Sequence, residues 1–127
     1  MKKLLLLSVF LLSFVFIQAQ VKHFRSTEIC VQTDGVWSKW QKSNVDIAWS
    51  VDDNIVIILV ENEQAYKLGK MTRDKTVSFD IIAYEAVDQD NVNLVVMFSK
   101  DFNGQHYITI GYSSYMVAYK VNFIQNL

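Results

Sequence analysis

The sequence has no proline, only four glycines, two histidines and one cysteine. With proline absent and glycine scarce, chain reversals fall to clusters of Asp, Asn and Gly, because Asp and Asn bond their own backbone and tolerate left-handed conformations. The lone thiol, Cys30, makes no disulfide within the chain even in an oxidising compartment. It lies in a strand-like stretch, residues 28–32, where a buried and inert thiol is expected. His23 and His106 are far apart, and neither has a ligand-like partner at i+2 or i+4. Two histidines and one cysteine do not assemble a zinc site without carboxylates, so no metal is expected.

Enzyme signatures are missing as well. There is no Gly-x-Ser-x-Gly elbow, no phosphate-binding glycine loop and no Ser/His/Asp order. Asp80 and Glu85 share one expected strand, but their parity puts them on opposite faces, whereas a glycosidase needs two carboxyls facing one sugar. The acidic turns at 88–91 and 101–104 lack the ordered ligands and closing Glu of a calcium loop. No catalytic residue and no cofactor are therefore expected.

What is present begins with a leader. Met1-Lys2-Lys3 precedes an uncharged run over residues 4–17, interrupted only by Ser8 and Ser13, and then Gln18-Ala19-Gln20. The run has the length of a secretory signal core and falls short of the ~20 residues of a membrane span. Cleavage is expected after Ala19, although the −3 residue, Ile17, is larger than usual. The next residues, Gln20, Val21 and Lys22, include no Cys to carry a lipid. Residues 20–127 then form one domain of a periplasmic or secreted protein that is soluble and not a lipoprotein. Without Lys2 and Lys3, 10 basic groups face 13 acidic ones, a net charge of −3. That balance gives no footprint for nucleic acid or an anionic membrane.

The remaining chain alternates with period two. Val45, Ile47, Trp49 and Val51 share one parity, as do Val92, Leu94, Val96 and Phe98, and Tyr115, Val117, Tyr119, Val121 and Phe123. Each set reads as the apolar face of a half-buried strand. Residues 54–60 are apolar on both faces, which predicts a central strand covered twice. Strands are expected near 27–32, 36–41, 45–51, 55–61, 64–69, 76–86, 91–99, 105–111 and 115–124, with a turn at 72–75. Connections this short require antiparallel neighbours. The expected fold is all-β, an antiparallel meander of 8–9 strands closed into a small barrel, with a two-sheet sandwich as the alternative.

Aromatic residues carry the functional hints. Trp37 and Trp40, three apart on an expected strand, face opposite ways, so at most one belongs to the core. An exposed Trp can stack on a sugar or an apolar ligand. Tyr115 and Tyr119 share the inward face of the last strand and offer a polar-aromatic lining. These four are the expected ligand-binding residues.

Gly35-Val36-Trp37 resembles the lipocalin signature, in which the Trp closes the base of a ligand-carrying barrel. The ensemble of Asp34-Gly35-Val36-Trp37-Ser38-Lys39-Trp40, Asn54-Ile55-Val56-Ile57, Gln64-Ala65-Tyr66, Tyr107-Ile108-Thr109-Ile110 and Tyr115-Met116-Val117-Ala118-Tyr119 also resembles small exported proteins of unknown function from Bacteroides-type bacteria. That resemblance implies a periplasmic or surface β-protein and assigns no activity. The expected function is non-catalytic binding of a small apolar or glycan ligand. An envelope or surface protein-interaction module is the alternative, and a secreted hydrolase ranks third.

Overall fold

The computed structural model describes residues 21–51, 53–59, 63–75 and 79–126, so the expected leader and its cleavage point lie outside the described residues. Ten strands occur in order: β1 (Val21–Thr33), β2 (Val36–Trp37), β3 (Gln41–Lys42), β4 (Asp46–Ser50), β5 (Ile55–Leu59), β6 (Gln64–Lys75), β7 (Phe79–Val87), β8 (Asn93–Asp101), β9 (His106–Gly111) and β10 (Tyr115–Asn126). Every pairing is antiparallel, and each strand from β4 to β10 bonds its sequence neighbour. β10 returns to β1 along nearly its whole length, from Lys22↔Asn126 to Thr33↔Tyr115. That last ladder closes an eight-stranded barrel of β1 and β4–β10. The expected meander barrel is the fold, and the closure excludes the sandwich.

β2 and β3 are two short pieces of the chain returning along β1, opposite its residues 32–33 and 28–29, before β4 takes residues 21–25. The strand expected over 36–41 is thus broken at residues 38–40. Asp34 and Gly35 make the tight reversal between β1 and β2, with φ of 53° and 80°. Asp-Gly supplies the two positive φ values that such a hairpin demands. Two wider hairpins share one design. Asp88 Oδ1 accepts the amides of Asp90 and Val92, and Asp101 Oδ1 accepts those of Asn103 and Gln105. Asn91 and Gly104 hold the left-handed position in each.

The register of β1 shifts between Ser26 and Glu28, leaving Thr27 unpaired with β10. Such a bulge inverts the parity of the residues beyond it. Phe24 is buried in the core before it, while Ile29 packs on the core after it. The expected strand starts only at residue 27 because this parity change hides the alternation of residues 21–26. The β1–β10 register also shifts between His23 and Phe24, and a further irregularity lies between Leu68 and Met71 of β6. β6 runs on to Lys75, paired with Asp80 of β7, in place of the expected turn at 72–75. Cross-strand pairing with β7 outweighs the turn preference of Thr72-Arg73-Asp74-Lys75.

The barrel interior is filled at its waist. Ile47, Val56, Ile58, Val96, Ile108, Ile110 and Val121 are essentially inaccessible. Each contributes about 1.5–3 kcal/mol by leaving water. β7 contributes Tyr84 and Ala86 to this interior. β5 is not covered twice: Val56 and Ile58 are buried, but Leu59 is 48% exposed, because the outer face of a barrel stave meets solvent.

Candidate functional site

The packed waist leaves a concavity at each end. The end where β1 starts and β10 finishes holds a cavity of about 530 Å³. Its wall is Phe24, Trp49, Ile82, Phe98, Ile108 and Val121, with Phe123 beside them and Lys22, Asp80, Lys100 and His106 among the polar groups. Trp49 stacks on Phe98 with ring centroids 4.4 Å apart. Tyr84 meets both rings edge-on, at 6.1 and 5.9 Å. Phe24 and Phe123 make an edge contact at 5.6 Å across β1 and β10. The Lys22 ammonium lies 5.1 Å from the centroid of Trp49. The indole N–H of Trp49 is buried and, among the described residues, has no hydrogen-bond partner. A buried donor left unsatisfied costs about 1–3 kcal/mol.

The opposite mouth, where β1 finishes and β10 starts, has a smaller cavity of about 340 Å³. Tyr66, Tyr112, Tyr115 and Tyr119 converge there with Asp88 and Asp90. Tyr112 and Tyr115 stack at 5.0 Å. Tyr112 donates its hydroxyl proton to Asp88 Oδ2 at 2.8 Å, and Tyr66 donates to Gln64 Oε1 at 3.0 Å. The Val92 amide above all, helped by the Tyr112 hydroxyl and the Asp90 amide, holds the Asp88 carboxyl below the usual carboxylate range. Burial, with the neighbouring Tyr66 and Tyr115, pushes the Tyr119 phenol up to about 12. Tyr119 is neutral at physiological pH and Asp88 is charged.

A third feature lies on the outer wall. The irregular segment 36–42 covers the outward side chains of β1, β10 and β9, and a groove there is lined by Cys30, Trp37, Trp40, Tyr107 and Ala118. Trp40 packs on Tyr107 at 6.0 Å, and the Lys120 ammonium sits 4.7 Å over the Trp40 ring while pairing with Glu28 at 3.3 Å. Cys30 is buried beneath this segment, and burial pushes its thiol up.

The four expected ligand residues therefore occupy two places. Tyr115 and Tyr119 meet at one mouth, Tyr115 at its exposed rim and Tyr119 buried. Trp37 and Trp40 are both outside the barrel, 45% and 39% exposed, because the chain leaves regular strand geometry between them and side-chain parity no longer applies. Trp37 lines the groove on the outer wall, and the tryptophan that lines the larger cavity is Trp49. Alternation puts Trp49 only on a strand's apolar face, and it passes over Tyr66, whose phase with Leu68 is the available signal. Of the histidines, His106 borders the larger cavity, while His23 Nε2 lies 3.3 Å from Asp46 on the barrel wall. Asp80 borders the larger cavity and Glu85 is exposed.

Comparisons with known protein families, with curated proteins and with solved structures found no match.

Proposed function

We propose that this chain is an exported, non-catalytic binding barrel that takes a small apolar ligand into the mouth beside Trp49. The leader supports export to a periplasmic or secreted location. The observation that carries the reading is the aromatic-walled cavity of about 530 Å³ beside the Trp49–Phe98 stack. Apolar pockets with a few fixed polar groups, in the mouths of β-barrels, are the usual form of a small-molecule site. The aromatic wall supplies affinity through buried area, and the polar groups that border it, Lys22, Asp80, Lys100 and His106, fix orientation.

The three tryptophans make the test direct. A Trp37→Phe/Trp40→Phe variant leaves Trp49 as the single indole reporter. Titration with a brominated long-chain alcohol is expected to quench it saturably, and Ile82→Phe, which narrows the cavity, is expected to abolish saturation. Quenching that rises linearly without saturation, or that Ile82→Phe leaves intact, removes this reading.

The outer wall supports a second reading, an envelope or surface interaction module. Val36, Trp37 and Trp40 are exposed on one projecting segment, Val36 at 71%. Exposed aromatics gathered on one loop are a common form of protein-docking surface. Cross-linking from position 36 in the native envelope tests it: specific adducts support docking there, and their absence counts against it.

A further inference from the structure

The two mouths differ in charge as well as shape. Lys22, Lys100 and His106 border the larger cavity with one carboxylate, Asp80. The tyrosine mouth is bordered by Asp88 and Asp90, and no Lys, Arg or His lines it among the described residues. We propose that the tyrosine mouth is a separate binding site for an organic ammonium ion, enclosed by the rings of Tyr66, Tyr112, Tyr115 and Tyr119 and neutralised by Asp88 and Asp90.

Three independent observations converge on this chemistry. The first is the cage itself: four phenol rings surround one cavity of about 340 Å³, with Ile110 and Val117 behind them. Aromatic faces attract a cation through their quadrupoles, and the attraction grows when water is excluded. Methyl or methylene groups on the nitrogen match the apolar wall, so an alkylated amine fits better than a hydrated metal ion. The second is the carboxylate pair. Asp88 is fixed by the amides of Asp90 and Val92, and among the described residues no cationic side chain pairs with it. The third is Tyr119. It is only 7% exposed, it lines this cavity, and among the described residues its hydroxyl has no hydrogen-bond partner. The ring is buried while its hydroxyl stays accessible, so a ligand in the cavity can reach it. An N–H of a primary or secondary ammonium, or a hydroxyl carried by a choline-like ligand, would satisfy it.

This site is at the opposite end of the barrel from Trp49, so its test does not depend on the apolar-ligand reading. The 15N-labelled protein is titrated with choline and, separately, with 3,3-dimethylbutanol, which has the same shape and no charge. Choline is expected to shift the amides of residues 88–92 and 112–115 saturably, and the neutral alcohol to bind about tenfold more weakly, in the range of a partly desolvated cation–aromatic contact. Asp90→Asn and Tyr115→Leu, both at exposed positions, are each expected to weaken choline several-fold with the rest of the spectrum unchanged. Equal binding of the alcohol, shifts confined to the Trp49 mouth, or no saturable shift would each overturn the proposal. Tyr119→Phe adds a specific readout: it is expected to weaken choline more than tetramethylammonium, which offers no hydrogen bond, and an equal effect on both would remove Tyr119 from the site.

Discussion

Tyr112 donates its phenolic proton to Asp88 at 2.8 Å across 24 residues of chain, and Tyr107 does the same to Asp101 at 3.0 Å across six. Two hairpins at opposite ends of the barrel thus carry the same device: an Asp that caps its own turn through two amides and accepts a tyrosine hydroxyl, from the β9–β10 connection for Asp88 and from β9 for Asp101. The resemblance extends to their titration. The Val92 amide leads in holding Asp88 below the usual carboxylate range. For Asp101, desolvation pushes upward but is outweighed by the Gln105 amide and the Tyr107 hydroxyl. Asp46 is lowered chiefly by its hydrogen bond from Arg25.

These carboxylates give stability an acid limb. A carboxyl whose folded pKa is depressed binds fewer protons folded than unfolded, so its contribution is present above the unfolded value of about 4 and is lost as pH falls through the folded one. The urea midpoint is expected to hold steady down to about pH 4.5 and decline below it. Asp88→Asn combined with Asp101→Asn should flatten that decline, since Asn keeps acceptor oxygens and does not titrate there. A decline of unchanged steepness in the double variant would assign the acid limb elsewhere.

The tyrosine mouth predicts an alkaline limb of opposite sign. Burial raises Tyr112 and Tyr119 above the ordinary phenol value, Tyr119 to about 12, and the Asp88 carboxylate raises Tyr112 further. A raised folded pKa gives stability that is complete below about pH 10 and lost as pH rises through the folded value. Tyrosinate absorbance at 295 nm should therefore show exposed phenols titrating first, with a later step that coincides with loss of the far-ultraviolet β signal. Tyr119→Phe should diminish that later step.

Much of the barrel is legible in the sequence because alternation is a direct readout of the pleat. Val117, Tyr119 and Val121 share one parity and all pack in the core. The legible parts end where geometry departs from period two. The bulge at Thr27 inverts parity and hides the first half of β1, and the one between Leu68 and Met71 lies where the sequence pattern ends β6. Site residues are partly legible for the same reason. Tyr115 and Tyr119 can be read from strand phase, but their convergence with Tyr66 and Asp88 depends on which strands meet, and barrel closure decides that over distances no local pattern records.

The waist of the barrel should be far less tolerant than its outer face. Ile108 is 1% exposed and Ile57 on β5 is half-buried. Ile108→Ala removes transfer energy and leaves a void among Ile110, Val96 and Val121, for an expected loss of about 2–5 kcal/mol. Ile57→Ala opens onto solvent and should cost under about 1.5 kcal/mol, near the range of ordinary surface substitutions. Chemical denaturation with a shared m value checks the contrast.

Gly35 isolates backbone conformation from packing. A methyl group at this position meets no atom within 4 Å, yet φ is +80°. Gly35→Ala therefore adds strain and no clash, for an expected loss of about 1 kcal/mol. Asp34→Asn, at φ 53°, should be nearly silent, because Asn adopts the left-handed region readily. Thermal midpoints of the two variants should separate by a few degrees, and equal midpoints would show that the β1–β2 reversal does not need its present geometry.

Cys30 reports on whether the segment 36–42 ever lifts from the wall. The thiol is 5% exposed and raised by burial, with Lys120 only partly offsetting that. Thiolate is the reactive form, so the folded protein should label with a maleimide far more slowly than the unfolded chain. Trp40 holds the segment through Tyr107 and the Lys120 ammonium. Trp40→Ala should free it locally and speed labelling without a matching fall in global stability. If labelling instead tracks the urea midpoint across variants, Cys30 is reached only by global unfolding and the segment behaves as part of the barrel wall. A rate that rises in Trp40→Ala at unchanged midpoint means that it opens on its own, exposing the Cys30–Ala118 surface beneath it.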